Sequence, residues 1–302
     1  MTEPSGILII NKHAGATSHD IVNRIRRLYN TKRVGHTGTL DPDATGVLVV
    51  LVGRAAKAAE YLVSDTKKYR ATLRLGLTTD TEDASGQTLT VCDKSPNAED
   101  VRFTCQNFVG KIKQTPPMYS ALKKDGQKLC DLARKGIVVE REAREVTVFE
   151  LVCTSTDTVS DYILDVYCSS GTYIRTLCAD IGKTLGCGGI MATLQRTYAG
   201  GFSIENSITV KELEEMTEEE RFARLLPTES LFDTLPKINL SDFYEKLCRN
   251  GCEIYQKKIN TSLNIGERVR LADKSGSFFA LGEVREYDGG TAIKAVKFFD
   301  IK

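Results

Sequence analysis

Apolar residues recur along this chain with two different periods, and the changes of period mark the elements. Residues 7–10 are continuously apolar and predict a buried strand. Over residues 18–29 Ile21, Ile25 and Leu28 share one helical face, and Thr17 with Asp20 has the spacing of a capping box. Val47 to Val52 is a second unbroken apolar run, followed by an alanine-rich stretch that predicts a helix over 55–63. From Lys68 to Leu77 the period is two. Tyr69, Ala71, Leu73, Leu75 and Leu77 point one way and Lys68, Arg70, Thr72 and Arg74 the other, as in a half-buried strand. A helix near 98–109, strands near 146–153 and 162–169, and a helix from Tyr173 to Leu185 after the break at Gly171 continue the series. Residues 124–145 are polar and basic with a helical patch at Lys128–Arg134, an excursion long enough to be functional. Thr217-Glu218-Glu219-Glu220 opens one more capped helix, and Pro227 follows its end.

Beyond the linker Asp233-Thr234-Leu235-Pro236 the pattern changes to short strands separated by Gly266, Gly276, Gly282 and Gly289-Gly290. The chain therefore reads as α+β: a mixed, largely antiparallel sheet flanked by helices over 1–234, carrying an insertion at about 115–145, and a small β-barrel-like domain over 237–302.

Composition narrows the class. A hydrophobic share of 41% and a charged share of 27% are ordinary for a globular protein, and no apolar run reaches membrane-spanning length. The first residues lack the layout of a signal peptide, so a cytoplasmic location is expected. The nine cysteines are scattered and read as buried free thiols, and Cys248/Cys252 has no second pair to complete a zinc site. His13, His19 and His36 have no metal spacing, and Gly182-Lys183-Thr184 has Leu177 where a phosphate loop needs glycine. No metal, nucleotide or other cofactor is expected. Net charge is +1, yet residues 1–75 hold 12 Lys/Arg against 6 Asp/Glu, whereas 205–235 hold 3 against 9. That asymmetry fits either one positive face or separate solvated faces.

The chemistry concentrates in Gly35-His36-Thr37-Gly38-Thr39-Leu40-Asp41-Pro42-Asp43-Ala44-Thr45-Gly46, a loop backed by the apolar run that follows it. Pro42 biases Asp41 towards an extended backbone, so that Leu40 can anchor one side while the carboxylate faces the other. Taken alone, Asp-Pro beside glycines marks a turn.

This loop resembles the GHTGxLDPxATGxL signature of the TruB family of tRNA pseudouridine synthases, with every fixed position present from Gly35 to Leu48. Gly6–Lys12, Lys68-Tyr69-Arg70, Thr79-Asp80-Thr81 with Asp83 and Gly86, Gln114–Lys123 and Cys168–Thr176 resemble further motifs of that family in its order. The resemblance implies a pseudouridine synthase fold with a PUA-type RNA-binding domain at the C-terminus and a thumb-like insertion. It implies conversion of the T-loop uridine at position 55 of tRNA to pseudouridine by a stand-alone monomer, with tRNA its only partner. By the same resemblance Asp41 is the reacting carboxylate and Arg175 its cation. Tyr69 stacks on the target base and helps to accept the C5 proton. Lys12 bonds near Tyr69, Tyr173 and Leu194 complete the pocket, and His36 enters the T-loop. His13 and Gln195 depart from the family pattern, which commonly has proline and arginine there. Two other readings stand beside this one: the catalytic subunit of a guide-RNA particle, and a non-catalytic tRNA-binding or folding protein.

Overall fold

A computed structural model describes residues 3–62 and 66–300; the outermost residues of both expected domains, and Val63 at the end of the alanine-rich run, lie outside these. The strands of the larger sheet are β1 (Gly6–Lys12), β2 (Val34–His36), β3 (Thr45–Val52), β4 (Lys67–Leu75), β5 (Gly110–Gln114), β6 (Arg144–Ser155), β7 (Asp161–Cys168), β8 (Gly189–Ala199) and β9 (Phe202–Ser203). They run in the order β1-β3-β8-β4-β7-β6-β5, with β2 beside β3 and β9 beside β8. All pairings are antiparallel except β3 with β8, which meet in parallel through Gln195↔Thr45 and Arg196↔Gly46. Helices α1 (Ser18–Leu28), α2 (Ala98–Gln106) and α3 (Ile174–Leu185) cover the sheet.

The unbroken apolar run at residues 47–52 is explained by burial of β3 on both faces. Leu48, Val50 and Val52 pack with Ile21 and Ile25 of α1. Val47, Val49 and Leu51 pack with Ala55, Ala58 and Phe232, and with Leu281 and Phe299 of the C-terminal sheet. A third core joins Leu73, Leu164 and Val148 to Leu177 and Ile181 of α3. Each such buried side chain contributes about 1.5–3 kcal/mol. The Thr17/Asp20 capping box is formed as expected.

Two expectations need correction, and one strand escapes the sequence pattern. The alanine-rich run forms a 3₁₀ helix, Gly53–Tyr61, and not an α-helix. Ala55, Ala58 and Tyr61 recur every third residue, and all three pack into one core, so the three-per-turn geometry buries one face. Leu77 does not continue the alternation of β4: Gly76 has φ +93° and turns the chain into a separate hairpin, Leu77–Thr79 with Thr88–Val91. The central strand β8 was not anticipated, because two bulges, between Met191 and Thr193 and between Arg196 and Tyr198, destroy its period of two.

After residue 236 a five-stranded sheet follows the order Lys237–Asn239, Arg268–Ala272, Phe278–Tyr287, Gly290–Phe298, Ile254–Tyr255. It has its own core of Val269, Leu271, Phe279, Val284 and Ile293, in keeping with the small β-rich module the sequence suggests. Arg268 lies over the Tyr61 ring at 5.1 Å, and Lys297 pairs with Glu60, joining the module to the 3₁₀ helix.

Candidate active site

The Gly35–Gly46 loop is held from three sides. The Ser18 hydroxyl, at the start of α1, accepts from the Leu40 amide (2.9 Å) and donates to the Leu40 carbonyl (3.1 Å), and Leu40 is buried. Lys12 reaches under the loop and donates to the carbonyls of Ala16 (2.7 Å), Pro42 (2.8 Å) and His13 (3.0 Å). Arg196 of β8 donates to the carbonyls of Val47 (2.7 Å), Gly38 (3.0 Å) and Thr39 (3.4 Å). Gly46 (φ +98°) allows β8 to approach: a Cβ there would lie 2.2 Å from the Arg196 carbonyl oxygen.

Asp41 emerges from this clamp with its side chain 40% exposed and its carboxylate 3.1 Å from Arg175 Nε. Arg175, in the first turn of α3, is only 7% exposed, and its whole guanidinium is engaged. Nη1 donates to the Thr81 carbonyl (3.2 Å) and faces the Asp83 carboxylate (3.4 Å), and Nη2 donates to the Tyr119 carbonyl (2.8 Å). This planar fork fixes the cation in orientation as well as position. Asp83 is itself held, its Oδ1 accepting from Thr81 Oγ1 (2.7 Å), Ser85 Oγ (2.6 Å) and the Ser85 amide (3.0 Å). A Cβ on Gly86 would come within 2.2 Å of Thr81 Oγ1, so this loop closes only on glycine.

Burial pushes the Asp41 carboxyl above the ordinary carboxylate range, Asp83 adds to the rise, and Arg175 and Lys12 oppose it. Burial likewise raises the Tyr69 phenol, with Arg196 opposing. Lys12 is depressed to about 8, chiefly by burial, against the pull of Asp43 and Asp41. His36 is lowered by burial and by Arg196, so its ring is neutral at pH 7.

The expected residues fall into place unevenly. Asp41 and Arg175 meet, and Tyr69 is the cross-strand partner of Arg196, which holds the Gly38 and Thr39 carbonyls just before Asp41. Leu194 sits on β8 where two of the cores adjoin. His36 is the last residue of β2, with its Nδ1 buried and unpartnered. Tyr173 precedes α3, its backbone bonded in both directions to the Gln114 side chain (2.7 and 3.0 Å). It lines a cavity of about 200 Å³ with Pro116, Leu122 and Arg144, and Asp41 is not one of the walls. Lys12 gives its three ammonium protons to backbone carbonyls, and the residue paired with Tyr69 across the ladder is Arg196. The sequence reading assigned no role to Arg196 or Asp83 and could not see the Tyr119 carbonyl. The Asp-x-Ser turn at Asp83–Ser85 is the one local signal that points to a fixed carboxylate. Among the described residues no group of His, Cys, Asp and Glu is arranged to hold a metal.

Residues 26–174 match the model of the TruB family pseudouridylate synthase N-terminal domain, and residues 175–233 that of the tRNA pseudouridylate synthase B C-terminal domain. The chain is 42% identical over 288 residues to the tRNA pseudouridine synthase B of Alkaliphilus oremlandii, covering 94% of each protein. It is 42% identical over 290 residues to that of Saccharophagus degradans, covering 93% of this chain and 92% of that one. Among solved structures it is similar to a Cbf5-Nop10-Gar1 complex, with 25% identity and TM-score 0.74 over 98% of this chain and 85% of the other. An archaeal box H/ACA sRNP Nop10-Cbf5 complex matches at 26% identity and TM-score 0.74, over 99% of this chain and 87% of the other.

Proposed function

The chain belongs to the TruB family of pseudouridylate synthases, and from that premise we propose that it acts on the T-loop uridine at position 55 of tRNA, without guide RNA. The reaction is the isomerisation of a tRNA uridine to pseudouridine. The N1–C1′ bond breaks, the uracil turns, and C5 joins C1′, so no electrons are gained or lost. The observation that carries this reading is the Asp41–Arg175 pair at 3.1 Å, a part-exposed carboxylate beside a buried cation fixed by three further contacts. Asp41 supplies the carboxylate that engages the sugar or base. Tyr69 stacks on the flipped uracil, worth about 1–3 kcal/mol, against the few kcal/mol that flipping costs. As a protonated phenol it can take the C5 proton only while passing its own proton on. Tyr173 and Leu194 complete the pocket, Lys12 supports it, and His36 enters the T-loop. Residues 1–234 form the catalytic part, with the thumb at about 115–145, and 237–302 a PUA-like RNA-binding part, the whole working as a cytoplasmic monomer.

Mapping modified uridines on an unmodified tRNA transcript incubated with the pure chain tests this reading. Product at position 55 alone is expected. Turnover only after addition of guide RNA and partner proteins would favour the particle-subunit reading, and product at another uridine would refute the site assignment. The relatives at 42% identity over nearly the full chain, against 25–26% to the particle proteins, favour the stand-alone enzyme.

A further inference from the structure

Arg196 is among the most deeply buried side chains of the protein, 2% exposed, and no carboxylate lies within ion-pair distance of it among the described residues. Its charge is solvated instead by the carbonyls of Gly38, Thr39 and Val47. Two of those carbonyls belong to the residues three and two places before Asp41. On the other side, Arg196 is the direct cross-strand partner of Tyr69 in the β8/β4 ladder. The bulge begins immediately after Arg196 and sends Tyr198 to the opposite pairing with Lys68. The backbone of Arg196 is locked as well, since it pairs with Gly46, where only a glycine fits. One residue thus holds the loop that carries the carboxylate through its buried cation, and pairs through its backbone with the strand position that carries the tyrosine.

We propose that Arg196 is a positioning residue for the isomerisation: its guanidinium fork sets the distance between the Asp41 loop and the Tyr69 hydroxyl. The three-way fork holds the loop before Asp41 while the same residue pairs directly with Tyr69 across the ladder, so one residue spans the two groups that must face the same nucleotide. Lysine cannot reproduce it, because its ammonium is a single point and lacks the planar fork whose three nitrogens meet the Val47, Gly38 and Thr39 carbonyls separately. The proposal rests on the reading of Asp41 as the reacting carboxylate.

The test compares Arg196→Lys, Tyr69→Phe, the double variant and Asp41→Asn as full-length proteins on tRNA transcript, with folding checked by circular dichroism. Misplacement of about 1 Å in a catalytic group lowers rates by about 100-fold. Arg196→Lys is therefore expected to lose about 100-fold in kcat with KM and tRNA affinity within about threefold. The double variant is expected to lose less than the product of the single losses, because both act through the same hydroxyl. A folded Arg196→Lys with kcat within twofold of the parent, or strictly multiplicative losses, would overturn the proposal. Should the lysine protein not fold, Tyr69→Phe decides: it keeps the ring, and a parent-like kcat would show that the held hydroxyl does nothing. Turnover by Asp41→Asn would instead sink the underlying assignment, leaving the two failures distinguishable.

Discussion

Arg175→Met removes one cation and four interactions at once, and the structure allows each consequence to be sized. Methionine fills most of the volume, so the cavity term is small. The Thr81 and Tyr119 carbonyls lose their donor at 3.2 and 2.8 Å, in a part-buried setting. An orphaned buried acceptor costs about 1–3 kcal/mol, so the variant should be less stable by about 2–6 kcal/mol and still folded at 25 °C. The catalytic effect is separate. Asp41 loses its partner at 3.1 Å and can rotate towards solvent, for which about 100-fold or more in kcat is expected. The pH profile gives the sharper test. Burial and Asp83 both raise the Asp41 carboxyl, and Arg175 is the first opposing influence. Without that cation the carboxyl must rise further, so the acid limb of kcat/KM moves to higher pH. The assay is product formation on tRNA across the acid range for parent and variant. An acid limb that stays in place, or moves to lower pH, would refute the idea that Arg175 acts on the ionisation of Asp41.

Three further outcomes follow from the same geometry. Because the folded Asp41 carboxyl sits above its ordinary value, it contributes stability at low pH that is lost as pH rises through the folded value; Asp41→Asn should therefore melt at or above the parent near pH 7, the gap closing towards about pH 3. Gly46→Ala meets the Arg196 carbonyl at 2.2 Å with φ at +98° and should cost about 2–5 kcal/mol in chemical denaturation, whereas Gly35→Ala, with open space around its Cβ, should stay within about 0.5 kcal/mol. A charge-led tRNA interface predicts binding that weakens by more than about tenfold between about 50 and 200 mM salt, and a flat salt response would contradict it.

Much of the fold was legible because single segments carried complete local signals. The Thr17/Asp20 box and the Ile21/Ile25 stripe define α1, and the run at 47–52 could only be a strand buried on both faces. The site was legible where one motif held one residue, as for Asp41, and through the family resemblance for Arg175. What stayed hidden depends on contacts between distant segments. The bulges of β8 erase its alternation, so neither that strand nor the inward turn of Arg196 could be read. The Tyr119 carbonyl orients Arg175 as a backbone acceptor, which no side-chain pattern encodes. The three carbonyls that take the Lys12 protons come together only in the folded loop. The basic surplus of residues 1–75 is likewise partly answered in three dimensions, where Arg24 of α1 pairs with Glu214 of the acidic segment at 3.6 Å.

The most direct measurement is side by side: pseudouridine yield and tRNA dissociation constant for the parent and Asp41→Asn. The account predicts yield below about a thousandth of the parent, with affinity changed by less than about threefold. Pseudouridine still forming within tenfold of the parent rate, or affinity collapsing in step with yield, would contradict it.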